Sequence, residues 1–206
     1  MRLRVLFAHG FEGSPDGGKP TYMREQLGWD VVAPIMSSNG WNIEQETSVL
    51  LEYLDADEFD LVVGSSMGGL AAANASRLRP DTNFGLLLIA PAFGLEEMWY
   101  ERLSVDEMKH WEETDAYLYR GFELEMTLNW DFMQTAKQMS WPELNHPTVI
   151  LHGIQDDVVP IENSQKIADT DGNVIALMEL DDGHRMQQSK PYFAQAANLC
   201  LNPQTR

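Results

Sequence analysis

Six short apolar runs recur along this chain, over residues 3–8, 30–33, 61–64, 85–90, 148–152 and 174–180, and most are apolar at consecutive positions. A strand with that pattern has no face to turn to water, so it belongs inside a sheet covered on both sides. Helical patterns lie between the runs, over 20–27, 43–55, 67–79, 162–169 and 191–199, with "IEQETSVLLEYL" the clearest. Strand and helix in alternation predict an α/β fold, a doubly wound and mainly parallel sheet of about six strands. Ligands of such sheets sit beyond the carboxyl ends of the strands, where "AHGFEGSP", "GSSMGG", "APAFG" and "HGIQDDVVP" fall.

One segment breaks the rhythm. Residues 95–145 contain no run fit for the sheet but two helix-like patterns, "LEEMWYERLSVDEMKHW" and "LEMTLNWDFMQTAKQM", separated by the aromatic turn "AYLYRGFEL". This predicts a small helical cap inserted over the strand ends of a single domain spanning residues 1–206. Four of the six tryptophans fall in it, Trp99, Trp111, Trp130 and Trp141, which suits either a small core or a ligand wall.

Length and composition narrow the rest. A chain of 206 residues with 44% hydrophobic side chains buries a sizeable core as one domain. Thirty-two acids against fourteen bases give a net charge of -18, which repels nucleic acid and disfavours stable association with an anionic membrane. The lone Cys200 forms no internal disulfide and fits a reducing compartment. The first apolar run stops at His9, short of a signal-peptide core, so a soluble cytoplasmic protein is expected.

"GSSMG" has the form G-x-S-x-G, with Gly64 and Gly68 two positions either side of Ser66. Between a strand and a helix it reads as a nucleophile elbow, a tight turn in which side chains at the glycine positions would collide with their surroundings. Ser65 is out of register with both glycines, so Ser66 is the candidate nucleophile. A serine hydroxyl needs a base, usually a histidine held by a carboxylate. His9 and His152 end strands just before glycine, where buried histidines bond to nearby loops, and His110 and His146 lie in or beside the insertion. His184, in "LDDGHRM" after the last strand, reaches the strand ends and is the candidate base. In "HGIQDDVVP" the G-x-x-D spacing from Gly153 selects Asp156 over Asp157, and Asp181 and Asp182 read as solvated turn acids. For a tetrahedral oxyanion, the backbone N–H groups of Met67 and Phe11 are the expected donors. Phe93, Trp99 and Trp130 are the candidate walls of an apolar acyl pocket. No metal-ligand spacing links His110 to the acids Glu96, Glu97, Glu112 and Glu113, so no metal is expected.

Taken in chain order, "AHGFEGSP", "GSSMGG", "LHGIQDDVVP" and "DDGHRM" resemble the α/β-hydrolase superfamily along nearly the whole chain. The chain looks like small bacterial esterases whose first loop reads H-G-F-x-S-S-P, with Gly13 standing here for the first of those serines. It is also similar to compact mitochondrial acyl-protein thioesterases with a D-D-x-V-P loop and an H-R-M tripeptide. The resemblance implies the triad Ser66, Asp156 and His184, and hydrolysis of a small-molecule carboxylic ester or thioester through an acyl-enzyme, without metal or organic cofactor. Another carbonyl bond cleaved by the same triad (amide, lactone or carbon–carbon) and an inactive binding protein on the same fold are the alternatives.

Overall fold

A computed structural model of the chain describes residues 2–121 and 124–203. Strand β1 (Arg4–Ala8) leads through α1 (Gly18–Glu25) to β2 (Asp30–Val32), and a 3-10 turn at Met36–Asn39 precedes α2 (Ile43–Ala56). Next come β3 (Leu61–Ser65), α3 (Met67–Leu78) and β4 (Gly85–Ile89). The segment that follows holds α4 (Leu95–Arg102), α5 (Val105–Thr114), β5 (Tyr117–Arg120), β6 (Glu125–Leu128) and α6 (Asp131–Met139). The chain then re-enters the sheet as β7 (Thr148–Gly153), α7 (Ile161–Thr170) and β8 (Val174–Leu180), and ends with a 3-10 turn at Lys190–Tyr192 and α8 (Phe193–Leu201).

Six strands make one sheet in the order β2-β1-β3-β4-β7-β8, and every neighbouring pair is parallel. This is the doubly wound sheet that the apolar runs predict. Strand side chains alternate between its faces. Val5, Phe7, Leu61, Val63, Leu87 and Ile89 pack with Met23 of α1 and with Phe193 and Ala196 of α8. Leu6, Ala8, Val62, Leu86 and Leu88 face the opposite layer, with Leu50 of α2, Leu70 of α3 and Ile167 of α7. Both faces are therefore dry over β1, β3, β4 and β7, which is why these strands are apolar without alternation, while the edge strands β2 and β8 are half-buried. Cys200 lies in α8 with its thiol 3.1 Å from the Leu86 carbonyl oxygen, and burial pushes the thiol up to about 12.

The insertion differs from the expectation in two places. It is not wholly helical: "AYLYRGFEL" belongs to an antiparallel hairpin, β5 against β6, although Phe122 and Glu123 of that stretch lie outside the described residues. The first helical pattern is two helices, because Ser104 caps α5 and its side chain and that of Glu107 exchange bonds with each other's backbone N–H. The hairpin and helices close on an aromatic cluster. Trp99 lies 5.4 Å from Trp111 and 5.1 Å from Phe132 between ring centroids, and fully buried Trp111 donates its indole N–H to the Leu128 carbonyl at 2.9 Å. Asn42 of the α2 cap donates to Asp131 at 2.8 Å, and Asn74 of α3 to the Met139 carbonyl at 2.9 Å, so polar bonds tie the insertion to the main body.

Candidate active site

The order of the sheet reverses direction at β1, whose neighbours are β2 on one side and β3 on the other. The loops that leave β1 and β3 part company there and open a crevice at the strand ends. Phe11 and Ser66 lie on those two loops.

Ser66 joins β3 to α3 with φ 56° and ψ -122°, a conformation that costs a non-glycine residue energy. Its neighbours hold it there. The Ser66 N–H donates to the Ile89 carbonyl at 3.0 Å, and its own carbonyl accepts from the N–H groups of Gly69, Leu70 and Ala92. The flanking glycines are required by close approach: a Cβ on Gly64 would lie 2.3 Å from the Gly68 carbonyl oxygen, and one on Gly68 would lie 2.4 Å from the carbonyl oxygens of Ala8 and His9. Ser65 is the last residue of β3 and is buried.

The structure brings Ser66, His184 and Asp156 together in a line. His184 Nε2 is 3.0 Å from Ser66 Oγ, and Nδ1 is 2.8 Å from Asp156 Oδ2. Asp156 Oδ1 accepts the backbone N–H groups of Val158 and Val159, both at 2.9 Å. Burial by itself would raise the Asp156 carboxyl, but hydrogen bonds from His152 and His184, the charge of His184 and the Val159 N–H outweigh it. They hold the group well below the usual carboxylate range. An anion on Nδ1 fixes that nitrogen as the N–H and leaves Nε2 free to accept the serine proton, the tautomer a general base needs.

His184 sits on a tightly held loop. Asp182, expected as a solvated turn acid, is buried instead, and its Oδ2 accepts from the N–H groups of Gln188 and Ser189 and from the Ser189 hydroxyl. Desolvation raises its carboxyl, and these bonds, with the Gly183 N–H on Oδ1, more than reverse the shift. Asp181 matches the expectation, being exposed, and accepts from Gln155 at 2.7 Å. Nothing in residue type separates the two adjacent acids; the packing of the loop does.

Phe11 and Glu12 form the corner of a turn closed by the Gly13 N–H on the Gly10 carbonyl at 2.8 Å. Among the described residues neither the Phe11 N–H nor the Met67 N–H has an acceptor, and Met67 is the first residue of α3, where helix N–H groups are unpaired. His9, at the end of β1, accepts the Met36 N–H on Nε2 and so donates from Nδ1 to the Gly10 carbonyl at 2.9 Å. Burial lowers its pKa and the Gly10 bond opposes the shift in part. The Phe11 ring lies 5.0 Å from Tyr119 and 5.4 Å from Trp41 between centroids, and the Tyr119 hydroxyl donates to Glu12 at 2.8 Å. These contacts, absent from the sequence reading, tie the hairpin to the loop after β1.

A cavity of about 730 Å³ opens on Ser66. Phe11, Met67, Met98, Trp99, Tyr119 and Phe132 give it apolar walls, and Glu101, Arg102, Asp157 and Glu162 bring charge to it. Of the three pocket residues picked from sequence, Trp99 lines the cavity. Phe93 is wholly buried in the core with its carbonyl bonded to Asn163, and Trp130 packs behind the wall at 5.4 Å from Trp111. Among the described residues no helix is long and apolar enough to cross a membrane.

Comparison with known proteins agrees with this architecture. Palmitoyl-protein thioesterase ABHD10, mitochondrial, of Pongo abelii is 31% identical over 212 residues, covering 89% of this chain and 67% of that protein, and its Homo sapiens counterpart gives the same figures. The structure of alpha/beta hydrolase domain-containing protein 10 from mouse superposes with a TM-score of 0.72 at 21% identity, over 92% of this chain and 85% of that one. Est1E from Butyrivibrio proteoclasticus, solved with ferulic acid bound, superposes with a TM-score of 0.76 at 19% identity, over 96% and 86%. Residues 4–200 match a family described as Uncharacterised protein family (UPF0227). The chain belongs to that family, and its sheet order, its elbow and its 31% identity to the ABHD10 thioesterases make it a member of the α/β-hydrolase superfamily.

Proposed function

We propose that the protein is a serine hydrolase that cleaves carboxylic esters or thioesters through an acyl-enzyme. The observation that carries this reading is the hydrogen-bonded line Ser66–His184–Asp156 at the mouth of an apolar cavity. His184 Nε2 takes the Ser66 proton as Oγ bonds to the carbonyl carbon, and the oxyanion is met by the N–H groups of Phe11 and Met67. The C–O or C–S bond then breaks, and His184 returns the proton to the leaving oxygen or sulfur. Water attacks the acyl-serine with its proton passing to His184, and Ser66 leaves with that proton restored. These side chains handle every proton and electron pair, so the mechanism needs no metal or organic cofactor.

Residues 95–145 act as the cap of a single domain, and Trp99 with Phe11 and Met67 contacts the acyl group. The names of the mammalian relatives support the thioester branch, and Est1E with its bound ferulic acid supports the ester branch. A lone buried thiol and the acidic composition fit a cytoplasmic enzyme acting on a small-molecule substrate. The test is hydrolysis of p-nitrophenyl esters and acyl-thioesters from short to long chains by wild type and Ser66→Ala. Turnover in wild type that falls at least about 10³-fold in the variant supports the reading. Undiminished turnover in Ser66→Ala, or no turnover and no labelling of the wild type by a fluorophosphonate, overturns it.

A further inference from the structure

His152 occupies the fourth-last position before Asp156, at the end of β7, and its side chain and that of Asp156 are both fully buried. Its Nε2 lies 3.2 Å from Asp156 Oδ2 and 3.1 Å from the Val159 carbonyl oxygen, while Nδ1 lies 2.7 Å from Ser164 Oγ in α7. A carboxylate and a carbonyl only accept, so Nε2 carries the hydrogen; its bond is made to the Val159 carbonyl, and Asp156 Oδ2 lies beside the same nitrogen as a longer second contact. Ser164 has a hydroxyl to give, which suits an unprotonated Nδ1. One imidazole therefore spans β7, the loop that carries Asp156, and α7.

Asp156 Oδ2 is shared by two histidines, His184 from the solvent side and His152 from the interior. We propose that His152 is a positioning residue of the active site: its Nε2–H holds the Asp156 carboxylate in the plane of His184 and takes part of its negative charge. The inference rests on the proposed triad chemistry. A carboxylate that already receives a buried N–H is a weaker acceptor for the next one. His152 thus limits how strongly Asp156 stabilises the imidazolium of His184, and fixes the angle at which it does so. Without it, Oδ2 loses a buried donor, Asp156 gains freedom to turn, and the field on His184 becomes more negative.

Other charged groups stand around His184 and Asp156 on several elements, and Lys19 and Lys190 face the loop that carries Asp182 and Arg185. Asp182 and Arg185 flank His184 on its own loop, Asp157 and Glu162 follow Asp156, and Glu101 and Arg102 of α4 share the cavity. All of them are unchanged in a comparison of variants at position 152, so the difference between variants reports the one N–H.

The experiment compares His152→Met, which fills the space without a donor, with His152→Gln, which presents an amide N–H where Nε2 stood. In steady-state hydrolysis of an activated p-nitrophenyl ester, His152→Met is expected to lower kcat about tenfold with little change in KM. It is also expected to move the acidic limb of the kcat/KM profile upward in pH, and His152→Gln is expected to restore both. A merely structural role would change the amount of active enzyme and leave that limb in place. Superimposable pH profiles for wild type and His152→Met, or a His152→Gln that behaves like His152→Met, overturn the proposal. Should His152→Met fail to fold, NMR of wild type labelled with ¹⁵N-histidine decides the matter. The Nε2–H tautomer at His152, with a ring resonance that shifts when Asp156→Asn removes the carboxylate, is expected; the Nδ1–H tautomer, or a resonance that Asp156→Asn leaves unmoved, overturns the proposal. Ser66→Ala runs in the same assay: retained activity there refutes the triad itself, whereas a dead Ser66→Ala beside an unaltered His152→Met profile refutes only the role of His152.

Discussion

Glu46 occupies an interior place on α2 that its charge opposes: it is 1% exposed, and its Oε2 has no partner among the described residues. Burial raises its carboxyl well above the ordinary value, so the folded protein holds a proton that the unfolded chain releases. Its contribution to stability is full below the unfolded pKa and is lost as pH rises through the folded one. Glu46→Gln is accordingly expected to melt higher than wild type at pH 8, with the gap closing toward pH 4; thermal melts across that range would refute the idea if the gap stayed constant. The periodicity of "IEQETSVLLEYL" puts residue 46 on the same face as Ile43 and Leu50, so its inward placement was legible there, against the charge. The spacings around Ser66, Asp156 and His184 were legible for a different reason. Each lies in a short turn at a strand end whose glycines can be read directly, whereas the burial of Asp182 depends on side chains seven residues away.

At the scale of elements, the four inner strands β1, β3, β4 and β7 could be read because both their faces are dry, and the half-buried edge strands β2 and β8 from their apolar residues, whereas the hairpin could not. Strand β5 shows the burial of only one of its four residues, and "EMTL" of β6 fits a helical period as readily as an alternating one, so the second helical pattern ran through it to the true start of α6 at Asp131. The break between α4 and α5 did carry a signal, the S-x-x-E of Ser104 and Glu107. The hairpin matters because Tyr119 reaches from it to Glu12, the neighbour of Phe11. Burial first, and then Glu12, push the Tyr119 hydroxyl up to about 12, so it remains a donor throughout the working range. Tyr119→Phe keeps the ring against Phe11 and deletes the bond. It is expected to cost about 1 kcal/mol of stability and to lower kcat severalfold by loosening the loop after β1. A normal kcat in a variant with the lowered melting temperature would show that the hairpin braces the fold without acting on the loop.

Over the whole molecule, the net charge of -18 sets the acids against one another. Ion pairs such as Arg79 with Asp55 and Lys109 with Glu113 lie at the surface, where water and salt screen them, so each adds little to stability. Screening removes more repulsion than attraction in such a chain. Raising the salt from about 0.05 to 0.5 M is expected to lift the melting temperature by a few degrees, and a fall on adding salt would show that the paired charges dominate. The bond between Ser66 and His184 joins residues 118 positions apart, and the strand that carries one is separated from the strand that carries the other by two more. No partial chain emerging from the ribosome can hold both until the last strand has docked. On the proposed mechanism the polypeptide is therefore chemically silent during its own synthesis, and Ser66 acquires its base only as the last strand docks.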